Sequence, residues 1–97
     1  WLLENTGEST MNREEILAAA LNCVKGERDK QYGSPEDNFG RVAMMWEAYL
    51  GSPVRPKDVA AMLALLKIAR ISSGTNHSDN WVDLAGYASC GGEVDSV

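Results

Sequence analysis

From residue 12 onward, apolar positions recur every three to four residues in four successive runs. That spacing marks one face of a helix, and no strand-like alternation competes with it. The first run carries Ile16, Leu17, Ala20, Leu21 and Val24 behind Asn12, an N-cap residue, with Glu14 and Glu15 in the first turn. A capping side chain satisfies a backbone donor that the helix leaves open, and acids there complement the helix dipole. Gly26 and the charges behind it blur the far end, which lies between Val24 and Gln31, with Tyr32-Gly33 as the stop.

Ser34-Pro35-Glu36-Asp37 is a compact second start: serine as cap, proline at the first helical position, acids after it. The helix behind it carries Phe39, Val42, Ala43, Trp46, Tyr49 and Leu50 on one broad face and ends at Gly51-Ser52-Pro53. Arg55-Pro56-Lys57-Asp58 opens a third. From Val59 to Ile71 that helix is apolar almost all round, as expected of the central element of a bundle. After a loop over residues 72–76, a fourth helix begins near Ser78 with Trp81, Leu84, Ala85 and Ala88 on one face. Gly91-Gly92 is expected to close it, leaving residues 93–97 as a loose tail.

The prediction is an all-α fold, a compact bundle of four helices forming a single domain over residues 11–92. Residues 1–10 precede Met11 and read as an appended leader or an upstream start. A small core with wide apolar faces often needs a partner, so a homodimer or larger homo-oligomer is expected.

Composition narrows the class. The chain has 97 residues, 44% apolar and 24% charged, which suits one ordered domain. A net charge of -5 argues against coating long nucleic acid through an overall field, while leaving room for a local basic pocket. The longest apolar stretch is broken by Lys67 and Arg70, so no membrane span is expected. The N-terminus lacks the basic region of a signal peptide. Cys23 and Cys90 have no metal-ligand spacing and are read as reduced and buried, in keeping with the cytoplasm of a host cell.

The polar residues that do not fit a bundle come next. Lys67 and Arg70 interrupt LLALLKIARI three residues apart, on one helix face, and two cations there call for an anion. They read either as a phosphate clamp or as basic residues of the last turns that complement the dipole and reach for water. Asp79, Asp83 and Tyr87 are spaced by four along the fourth helix. Asp79 is explained as a first-turn acid. Asp83 is mid-helix, where aspartate is a poor helix former, so it either pairs Lys67 or Arg70 or contacts a metal, ribose or base. His77, the lone histidine, cannot build a zinc site with cysteines so placed and reads as a helix-start residue or a phosphate or base contact. In DKQYGSPEDNF, Glu36 and Asp37 are explained as helix-start acids and Tyr32-Gly33 as a turn. Lys30 and Asn38 are left as a ligand edge.

With these motifs placed, the chain resembles a family of small phage and prophage proteins of unknown function. The resemblance rests on KQYGSPEDNF (30–39), PKDVA (56–60), LKIAR (66–70) and HSDNWVDLAGY (77–87), in that order. More distantly, the Lys-x-x-Tyr-Gly turn, Lys-x-x-Arg helix and Asp-x-x-x-Tyr helix are similar to phage nucleotide-modification-associated domains and to MazG-like all-α NTP pyrophosphatases. That resemblance implies a nucleotide or nucleotide-derived ligand in a helical oligomer, held by Lys30, Tyr32, Asn38, Lys67, Arg70, His77, Asp83 and Tyr87. In the enzymatic members magnesium holds the phosphates, and here Asp37, Asp79 and Asp83 are its candidate ligands. This chain lacks the paired Glu-x-x-Glu and Glu-x-x-Asp motifs of MazG-like enzymes. Three expectations follow: a binding protein that sequesters an immune messenger or senses the nucleotide pool; a magnesium-dependent pyrophosphohydrolase; or a helical protein-interaction module. Three or more carboxylates converging near Lys67 and Arg70 would favour the enzyme.

Overall fold

A computed structural model describes residues 10–25, 34–74 and 77–96, which form four α-helices and no strand among the described residues. They are α1 (Arg13–Val24), α2 (Pro35–Leu50), α3 (Pro56–Ser72) and α4 (Ser78–Asp95). Lys30, Tyr32 and the expected extension of the first helix toward Gln31 lie outside the described residues.

Local chemistry sets the starts. Asn12 and Glu15 form a reciprocal capping box: each backbone N–H donates to the other's side-chain oxygen at 2.9 Å. Ser34 Oγ accepts from the Asp37 N–H at 3.2 Å. At the third start, Asp58 Oδ2 accepts from the Arg55 N–H at 2.9 Å. Helix α2 ends on Gly51, whose φ of 70° is the left-handed conformation that favours glycine, and whose N–H donates to Glu47 O at 2.8 Å. The Glu47 carboxylate then accepts from the Val54 N–H at 3.0 Å and fixes the turn into α3.

The four helices pack as a compact all-α bundle whose hub is α4, not α3. Helix α4 lies most extensively along α3, then α1, and touches α2 over a short stretch, while α2 packs mainly on α3. The core gathers Phe39, Ala43, Val59, Ala60, Tyr87 and Cys90, with Trp46, Leu63 and Val94 packed against it. Tyr49, expected on the inner face of α2, is instead 90% exposed at the helix end.

Two expectations about α4 are corrected. Gly91 and Gly92 do not close it, because the helix continues to Asp95. Each glycine in a helix interior costs about 1 kcal/mol relative to alanine. Gly91 offsets that by close approach: a Cβ there would stand 3.0 Å from the Ala60 Cβ on α3. Beyond it Val94 reaches the core.

The inward face of α4 is also not the one expected. Asn80, Val82, Asp83, Gly86, Tyr87 and Cys90 are buried, whereas Trp81 is 50% exposed and Ala88 faces solvent. The reason is electrostatic. Turning Trp81 inward would carry Asp83 out to water and leave the Lys67 ammonium buried without its anion, a far larger penalty than an exposed indole.

Candidate functional site

Helices α3 and α4 run antiparallel across a short loop, and between them the Lys67 Nζ stands 2.7 Å from Asp83 Oδ2. Both side chains are almost completely buried, 1% and 2% exposed. Lys67 follows Ala60 and Ala64 along the face that α3 turns to α4, and these small residues leave room for its long stem. Asp83 lies one turn from Asn80 and one from Tyr87, so a polar line runs down the buried side of α4. A mid-helix aspartate thereby finds its use. At 2.7 Å the charge-assisted bond is at the short end for such pairs, which partly offsets the desolvation of both ions.

Arg70 differs from Lys67 in burial. It is exposed on the last turn of α3, where its charge complements the dipole, while Lys67 points inward. A phosphate approaching Lys67 must first displace Asp83. His77 is the half-buried N-cap residue of α4, and its side chain makes no capping hydrogen bond to the helix start. Tyr87 is buried in the core cluster with Phe39 and Val59. Asn38 is half-buried in α2, Asp37 is exposed on that helix's first turn, and Asp79 lies on the first turn of α4.

The proposed metal set Asp37, Asp79 and Asp83 is therefore not gathered around one point. Among the described residues, no group of three or more His, Cys, Asp or Glu is placed to hold a metal ion. Asp83 is spent on Lys67. No helix among the described residues is long and apolar enough to cross a membrane.

Two features escaped the sequence reading. Asn80 is buried, and its position three residues before Asp83 was the available signal. The other is which apolar side chains stand outermost. Met44, Met45, Leu65, Ile68 and Trp81 are all between about half and three-quarters exposed. Tyr87, Ala60, Ala61, Ala64, Ala88, Gly91 and Gly92 line a groove of about 360 Å³ between α3 and α4, with Lys57, Asp58 and Asp95 at its end. There Lys57 Nζ lies 3.5 Å from Asp95 Oδ1.

Comparison with known proteins adds the relatives. The chain is similar to the "Gene 55 protein" of Mycobacterium phage D29, 42% identical over 77 residues that cover 79% of this chain and 51% of the relative. It is similar also to the "Gene 55 protein" of Mycobacterium phage L5, 45% identical over 74 residues, 75% of this chain and 47% of the relative. The chain thus spans about half the length of the curated relatives it matches. No solved structure matches it. The model of one family, the domain of unknown function DUF6378, matches residues 15–95, taking in all but the first two residues of α1 and the whole of the other three helices, and this chain belongs to that family.

Proposed function

We propose that this chain is the assembly module of a phage protein, a helical unit that acts by joining copies of itself. The observation that carries the reading is the outward face of α3. Met62, Leu65 and Ile68 are 45%, 61% and 48% exposed on a helix whose opposite side already packs on α4. A helix apolar all round is a buried helix in a complete assembly. A monomer rarely leaves contiguous apolar patches beyond a few hundred Å² in water. Sedimentation velocity at micromolar concentration tests this: the expected species is a dimer or larger, and a clean monomer rejects the reading.

A second reading, nucleotide binding, is favoured by one observation. Arg70, exposed on the last turn of α3, and His77, at the N-terminus of α4, flank the same short loop. A cation beside a helix N-terminus is chemistry that suits a phosphate. The likeness to MazG-like and nucleotide-modification-associated domains supports the same ligand class. A holding role suits it better than hydrolysis, since the carboxylates that would gather magnesium stand apart or, in Asp83, are paired. A thermal-shift screen of nucleotides and cyclic dinucleotides, with and without magnesium, tests it. No shift with any of them ends this reading.

A further inference from the structure

We propose that Asn80 is the residue that reads the base of a bound nucleotide, its side-chain amide pairing with the donor–acceptor edge of the ring. The inference rests on the nucleotide reading above and names the group that would set which nucleotides that site accepts.

The observation is an orphaned amide. Asn80 is 3% exposed. Its backbone N–H donates to His77 O at 3.2 Å, yet its side chain has no hydrogen-bond partner among the described residues. That amide carries two N–H donors and a carbonyl acceptor. Buried polar groups without partners are rare in folded proteins, because each gives up the bonds that water made to the unfolded chain. A leucine, with as many side-chain atoms and none of them polar, would serve the bundle better at this position.

Placement gives the amide a use. Helices α3 and α4 are antiparallel, Ala60 meets Gly91 and Lys67 meets Asp83, so Asn80 stands level with Arg70 and Ile71. At that level Arg70 is exposed. Asn80 belongs to the first turn of α4, and helical side chains lean toward the N-terminus of their own helix. The amide therefore leans toward the helix start, where the half-buried His77 precedes it by three residues. One end of the hairpin thus brings together a surface cation, a helix N-terminus and, one turn beneath, an unsatisfied amide. A phosphate suits the first two. It has no donor for the Asn80 carbonyl. A nucleobase does, and the flat pairing of asparagine with adjacent donor and acceptor atoms is the one it makes with adenine.

The experiment compares wild type with Asn80→Leu and Asn80→Ala by thermal shift, each variant against its own ligand-free melting temperature. The probes are the four ribonucleoside triphosphates, a cyclic dinucleotide and inorganic tripolyphosphate. Asn80→Ala keeps the comparison open if leucine does not fit. In wild type at least one nucleotide is expected to give a larger shift than tripolyphosphate. Both variants should bind that nucleotide at least about tenfold more weakly, with the tripolyphosphate shift unchanged. Without ligand, Asn80→Leu should melt about 4 °C or more above wild type. If the variants keep the full nucleotide shift, or tripolyphosphate matches every nucleotide in wild type, the assignment of Asn80 falls and an anion site at Arg70 stands. Both variants melting below wild type would mean that the amide is satisfied inside the fold, by an internal water, and likewise overturns the assignment. No shift of wild type with any probe overturns the nucleotide reading and this inference together.

Discussion

Lys67 and Asp83 meet at 2.7 Å inside the protein, one from each helix of the α3–α4 hairpin, and this pair fixes how the two helices face each other. A buried ion pair adds little net stability relative to apolar residues of the same shape, because both ions are stripped of water. Losing one partner is costly, because the other charge stays buried alone. The pair acts chiefly on specificity, selecting the rotation of α4 that turns its acid inward and its tryptophan outward.

Asp83→Ala should therefore lower stability by about 3 kcal/mol. For a domain of this size that is a fall of roughly 12–24 °C in melting temperature. The double change Lys67→Met with Asp83→Leu should recover most of the loss. An unchanged melting temperature in Asp83→Ala would reject the buried pair as drawn here.

Gly91 and Gly40 should respond in opposite directions. Gly91→Val places its side chain against Ala60, where even a Cβ stands at 3.0 Å, and should cost about 1–3 kcal/mol by overpacking. At Gly40 an added Cβ meets nothing within 4 Å in the middle of α2, so Gly40→Ala should stabilise by about 0.5–1 kcal/mol. Urea titration of both variants checks the pair, and equal signs would mean that α3 and α4 do not approach as closely as described.

Asn12→Ala removes the side-chain half of the α1 capping box and should cost about 1 kcal/mol. The loss should be local, read as faster amide exchange in the first turns of α1. Uniform acceleration across all four helices would show that α1 is not a separable unit.

Arg70→Ala distinguishes the nucleotide reading from the assembly reading. If a nucleotide stabilises wild type, this variant should lose most of the thermal shift while its sedimentation stays unchanged, since Arg70 is exposed on the last turn of α3. A ligand present at a hundred times its dissociation constant contributes about 2.7 kcal/mol, large enough for the difference to be plain. An undiminished shift would place the ligand elsewhere.

The sequence by itself determined the four helices and the way they begin. Asn12 with Glu15, Ser34 with Asp37 and Arg55 with Asp58 are local signals that act through hydrogen bonds between residues three apart, so no tertiary information is needed to read them. Asp83 was marked as unusual by the same local logic, because mid-helix aspartate has no capping duty.

What the tertiary structure decided is which face of each helix turns inward. Hydrophobic periodicity finds a face but cannot weigh it against a buried cation on a neighbouring helix. In α4 Trp81 and Ala88 turn outward and Leu84 and Ala85 stay half-buried, while Asn80, Asp83, Tyr87 and Cys90 take the interior, because Lys67 required an anion at that depth. The reach of α4 beyond Gly91 was likewise settled by the space Ala60 leaves on α3. Local rules place the helices; the cost of an unpaired charge and the fit of one backbone against another set their rotation.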